Sequence, residues 1–197
     1  VNFLAHAWLV RQADDAFLLG NVIADGVKGR DLAAWPAATA RGIRHHRRVG
    51  VDEGVHPAVR GARQRAPAAQ RRYAGIALDI LWDHFLAREL SGQEAFDALV
   101  ERLYALLAAH PAPARLATMM PALVEHDWLR RYADFGFTCR AIEGVGRRLS
   151  GPNRLAELVP WLERDYARLE NDFHPLWADC LATLSSSGEA VGTGKIQ

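Results

Sequence analysis

The sequence predicts an all-α fold, a single-domain helical bundle built around one buried helix. Three observations carry that expectation. Strand signals are almost absent: no stretch sustains a period-two alternation bounded by turn pairs. The chain has 197 residues, half of them hydrophobic, enough for one sizeable core. And the run Leu78-Asp79-Ile80-Leu81-Trp82-Asp83-His84-Phe85 is free of Gly and Pro and apolar nearly all round, the mark of a buried helix.

That helix carries two carboxylates and an imidazole into low dielectric. At about 100° per residue, Asp79 and Asp83 lie roughly 40° apart and share one stripe. Two buried carboxylates one turn apart repel, and buried charge is costly unless it is paired or metal-bound. Either a divalent cation resolves both problems, or each Asp is met by an Arg and His84 is a hydrogen-bonded core residue.

The other elements follow in order. Asn2 is a candidate N-cap for a first helix holding His6 among apolar residues. Asp14 or Asp15 caps a second helix reaching about Val27, in which Asn21 and Asp25 share a face. Gly20 and Gly26 lower its helix score and allow another backbone to approach. Pro36 suits the first turn of a third helix through Val49. There His46 follows Ile43 by three and is expected to point inward, with His45 the weaker candidate. Ser91 is the expected cap for Gln93 to Ala109. The last helix is expected as one piece from about Leu155 to Leu184, with a Ser/Gly-rich tail over 185–197 read as disordered. One domain over 1–184 results.

Charge is unevenly spread. The net is +1, yet from Pro36 to Gly75 there are nine Arg against Asp52 and Glu53 alone. Such a field attracts a polyanion, either nucleic acid or an acidic protein. Aromatic residues are scarce there, which argues against stacking of single strands. Cys139 and Cys180 lack metal spacing and suit a reducing cytoplasm. No apolar run is long enough to cross a membrane, and no signal peptide is legible.

Several short motifs taken together resemble one family. They are Asn2-Phe3-Leu4-Ala5-His6, Gly20-Asn21-Val22-Ile23-Ala24-Asp25, Gly42-Ile43 with His46-Arg47-Arg48, Leu78-Asp79 with Trp82-Asp83-His84-Phe85, and Trp128-Leu129 with Arg131-Tyr132. Their order and spacing are similar to those of the acyl carrier protein phosphodiesterases, a divergent branch of the HD-type metal phosphohydrolases. The resemblance implies a buried metal site in the helical fold and a divalent metal, usually Mn²⁺. It also implies an acidic protein substrate, holo-acyl carrier protein, from whose serine 4′-phosphopantetheine is removed. The matched polar positions are His6, Asn21, Asp25, His46, Arg47, Arg48, Asp79, Asp83 and His84. From these, Asp25, His46, Asp79 and Asp83 are the expected metal ligands. His84 and His6 are the expected proton donors, Arg47 and Arg48 the expected phosphate partners, and Asn21 a further site residue. Arg60, Arg63 and Arg65 are expected to meet the carrier. Relatives tend to carry Asp where this chain has Gly50 and Gly54, and Asp52 or Glu53 is the nearest substitute. A nucleotide-directed HD-type enzyme and a non-enzymatic nucleic-acid-binding module are the alternatives.

Overall fold

A computed structural model describes residues 2–148 and 153–186. Among them the helices are α1 (Phe3–Leu9), α2 (Asp15–Ile23), α3 (Ala37–Val55), α4 (Pro57–Arg65) and α5 (Ala74–Leu90). They continue as α6 (Glu94–Ala109), α7 (Met119–Glu125), α8 (Trp128–Arg131), α9 (Phe135–Arg148), α10 (Val159–Arg164) and α11 (Tyr166–Ser186). No strand occurs among the described residues. No helix is long and apolar enough to cross a membrane.

Helix α5 is the axis. Ile80 through Ala87 are buried without interruption, and α1, α4, α8, α9 and α11 all pack on it. Its apolar circumference leaves no polar face for solvent, so the surrounding helices have to cover every side.

The α2–α3 pair is closer than ordinary helix packing because two glycines allow it. A Cβ on Gly20 would lie 2.1 Å from the Thr39 carbonyl oxygen, and one on Gly42 2.2 Å from that of Phe17. Each helix thus sets a glycine against the other's backbone. Gly50 and Gly54 are different: a Cβ there would meet nothing within 4 Å. They lie inside α3, which runs past the expected end at Val49 to Val55.

Local chemistry explains the boundaries. The Asp14 carboxylate accepts from the Phe17 amide at 2.8 Å and caps α2. Pro57 occupies the first turn of α4, where its missing N–H costs nothing. Two expectations need correction. Ser91 ends α5 rather than starting α6, which begins at Glu94 after the positive-φ residue Gly92. The expected single last helix is broken at Asp165, whose carboxylate accepts from Trp161 Nε1 at 2.9 Å, so α10 and α11 are separate. Helix α11 continues through Ser186, and residues 187–197 of the expected disordered tail lie outside the described residues.

Candidate active site

The polar residues of α1, α2, α3 and α5 converge where the N-terminus of α1 meets the middle of α5. Asp83 is fully buried, and its two carboxylate oxygens accept from the amides of Leu4 (2.9 Å) and Ala5 (2.8 Å). These are unsatisfied donors of the first turn of α1, and an anion there is favoured by the helix field. Burial nonetheless pushes the Asp83 carboxyl up to about 7, against the pull of both amides. The carboxylate therefore pins α1 to α5 and fixes His6, one residue further on.

His6 is buried and stacks on His46 of α3, with ring centroids 3.8 Å apart. Burial, and after it the neighbouring His46, hold the His6 imidazole well below its usual pKa, so it is neutral near pH 7. His46 Nε2 lies 3.1 Å from Asp25 Oδ1. Although burial acts upward on Asp25, the His46 hydrogen bond and nearby positive charge hold its carboxyl below the usual range. The Asp25–His46 contact orients the ring and leaves its other nitrogen for something else. That nitrogen, His46 Nδ1, is buried without a hydrogen-bond partner, and so is His6 Nδ1.

Asn21 and His45 form a second tie between the same helices, Asn21 Nδ2 to His45 Nδ1 at 2.8 Å. His45 is thus buried and His46 only part-buried, contrary to the expectation that His46 is the one that points inward. Arg47 does not face the cluster. Its guanidinium donates to the carbonyls of Val27 and Gly29 at 2.7 Å each, clamping the loop that follows Asp25. Arg48 is exposed on α3.

Asp79 is one turn before Asp83 and half-buried. Its carboxylate acts on Glu53 of α3, which accepts from Asn2 Nδ2 at 3.4 Å. Burial, and then the Asp79 carboxylate, push Glu53 up to about 7. The sequence offered Glu53 only as a substitute for the missing acids at 50 and 54, and its place on the inner side of α3 became visible only with the fold.

His84 is not brought to this cluster. One residue past Asp83 it turns about 100° around α5. There its Nδ1 meets the Tyr132 carbonyl at 2.7 Å and its Nε2 the Tyr166 hydroxyl at 2.6 Å. Among the partner-site arginines, Arg60 and Arg63 are exposed. Arg65 is part-buried in an ion pair with Asp172 of α11, so its charge is committed within the fold.

A divalent cation fits this cluster in one respect and not in another. Two imidazole nitrogens, one on each ring of the stacked pair beside Asp25, are buried and unpartnered, an unfavourable state unless something binds them. The four expected ligands are not gathered into one shell, since both Asp83 oxygens are held by amides. Among the described residues no three His, Cys, Asp or Glu side chains are disposed to grip an ion as they stand.

Comparison with known proteins decides the class. The family described as acyl carrier protein phosphodiesterase matches residues 1–180. The chain belongs to this family. A relative so named from Yersinia pestis is 35% identical over 88% of this chain and 92% of its own. One from Photorhabdus laumondii is 36% identical, covering 85% and 86%, and one from Yersinia enterocolitica 35%, covering 95% and 97%. No solved structure matches. Family membership makes the chain a phosphodiesterase, with the all-α fold that the sequence led one to expect. In this acyl carrier protein phosphodiesterase family member, the motif residues at the start of α1, the end of α2 and the middle of α3 are the ones that assemble around His6.

Proposed function

We propose that the chain hydrolyses the phosphodiester joining 4′-phosphopantetheine to the serine of an acyl carrier protein, assisted by a divalent cation. His6, Asp25, His46 and Asp79 are the residues that would hold the cation, and their imidazole and carboxylate donors suit Mn²⁺. When bound, such a cation acidifies water and polarises a phosphoryl oxygen. The protein's own part is positional. Asp25 fixes the His46 ring through Nε2. Asp83 fixes His6 through the α1 backbone and is a positioning residue. Asn21 holds α2 to α3 through His45. Arg48 is the exposed cation suited to the non-bridging oxygens, while Arg47 keeps the Asp25 loop in place.

The observation that carries this chemistry is the stacked His6–His46 pair with its two unpartnered buried Nδ1 atoms. The substrate is supported by the names of the relatives. Cys139 and Cys180 are unpaired and suit the reducing cytoplasm, where we place the reaction. Exposed Arg60 and Arg63 on α4, and separately Arg30, Arg41 and Arg44 around a surface hollow beside Trp35, are the basic groups offered to an acidic carrier. Nucleic acid is not the expected partner.

Mass spectrometry of holo-carrier after incubation tests the reading. Loss of the phosphopantetheine arm is expected with Mn²⁺ and not with excess chelator, and metal analysis of protein purified without added metal should find bound cation. An intact arm in the presence of Mn²⁺ overturns it.

A further inference from the structure

A groove separate from the His6–His46 pair opens between the C-terminal half of α3 and α11. Leu9, Val49 and Leu176 form its apolar walls, Cys180 lies along it, and it offers about 80 Å³, room for a few methylene groups. His56 Nε2 and Asp179 Oδ2, 3.1 Å apart, join α3 to α11 along one side. Beyond the lip, Val51 and Val55 stand 65% and 62% exposed one turn apart on α3, the most exposed large apolar side chains among the described residues.

Glu53 belongs to both places. Its carboxyl lines the groove and meets Cys180 Sγ at 3.8 Å. The same carboxyl meets Asn2 and lies within the fields of Asp79 and His46. The groove is therefore continuous with the acidic cluster through one side chain. Its walls are apolar and its edge carries polar groups from Asp52, His56 and Asp179. A chain that alternates short methylene runs with amides matches such a lining: the methylenes remove apolar wall from water, and the amides meet the polar edge.

We propose that this groove takes the distal, thiol-bearing end of the substrate's pantetheine arm. The assignment rests on the reaction proposed above, because the arm leads away from the phosphorus that the His6–His46 pair is to receive. It places the arm's terminal sulfur beside Cys180 and leaves the phosphate end at the acidic cluster.

Thiol–disulfide capture tests this on the intact protein. The terminal thiol of a holo-acyl carrier protein is activated as its 2-pyridyl disulfide. Burial and the Glu53 carboxylate push the Cys180 thiol up to about 12, so both reagents are compared at alkaline pH. There the Cys180 thiolate attacks the arm's sulfur, the new S–S bond forms, and pyridine-2-thione leaves with the electron pair of the broken bond. Capture at Cys180 should be at least tenfold faster than with the 2-pyridyl disulfide of cysteamine, and Cys180→Ser should abolish it. Peptide mapping scores carrier or free phosphopantetheine on Cys180 alike, so hydrolysis during the assay does not obscure the result. Equal rates for the two reagents, or capture at Cys139, overturn the assignment. Hydrolysis of unmodified holo-carrier is measured alongside. Hydrolysis without preferential capture overturns the groove alone. Capture without hydrolysis upholds the groove and overturns the reaction, and neither overturns both.

Discussion

Two histidine environments flank the same helix and differ in what their nitrogens do. On one side of α5, His84 has both nitrogens engaged, by the Tyr132 carbonyl and the Tyr166 hydroxyl, with Phe85 and Phe135 against its ring. On the other, His6 and His46 stack, and each keeps a buried nitrogen without a partner. A satisfied buried imidazole contributes to the fold, whereas an unsatisfied one costs stability and implies a use. Under the proposed function the difference separates a structural histidine from a functional one, although all three lie in the motifs that carry the sequence resemblance.

The largest expected effect comes from parting α2 and α3. Gly20→Ala or Gly42→Ala puts a Cβ about 2 Å from a backbone oxygen that cannot move alone. Overpacking of this kind costs about 1–3 kcal/mol. It should also separate Asp25 from His46, so activity should fall at temperatures where circular dichroism still shows a folded protein. Full activity in either variant would mean that the close approach is not needed.

Exchanging the histidines sharpens the comparison. His46→Ala should lower kcat by about 100-fold or more, the usual scale for a lost catalytic or cation-holding group, and lower bound metal, with little change in Tm. His84→Phe should do the reverse, losing about 1–3 kcal/mol of stability from its two buried hydrogen bonds with turnover kept. Equal losses of activity in the two variants would erase the distinction.

Smaller in effect is the Glu53 carboxyl, held near 7 in the fold against an ordinary value of 4.5. An acid with a raised folded pKa binds its proton on folding. Its contribution to stability is therefore full below about 4.5 and lost as pH rises through about 7. With chelator present, Glu53→Gln should match the native protein near pH 4.5 and be the more stable by pH 8, by on the order of 1 kcal/mol. Denaturant titrations across that range read the slope directly, and parallel curves would remove Glu53 from the account.

The smallest effect is on the outer face of α3. Gly50→Ala and Gly54→Ala fill open space, and each should raise stability by about 1 kcal/mol through helix propensity. For a domain of this size that is about 2–4 °C in Tm at each site. A fall at either site would mean that α3 bends there in solution.

These comparisons show how far the sequence could be read. The buried character of α5 was legible because the hydrophobic run fixes it without knowledge of neighbours. So was the cap at Asp14, since capping chemistry is local, whereas the grouping of His6, Asp25 and His46 was expected only through the family resemblance. The roles of Asp83 and His84 were not. Adjacent residues on a helix point 100° apart, and only the packed partners reveal that one meets the amides of α1 and the other α9 and α11. Arg47 was expected at the phosphate and Arg65 at the carrier, yet their guanidinium groups reach carbonyls and a carboxylate 18 to 107 residues away. The split at Asp165 was hidden because both α10 and α11 carry helical periodicity, and the indole hydrogen bond at the break is seen only in the fold.

The grip of Asp83 on the amides of Leu4 and Ala5 joins positions 79 and 78 residues apart. During synthesis the α1 segment leaves the ribosome long before the helix that will hold it. Until α5 follows, the Asp83 anchor of α1 is missing, and the first turn of α1 has its donors in water. The cluster therefore cannot be completed before α5 has been made, and a polypeptide interrupted before Asp83 carries the His6, Asp25 and His46 motifs without the anchor that places His6.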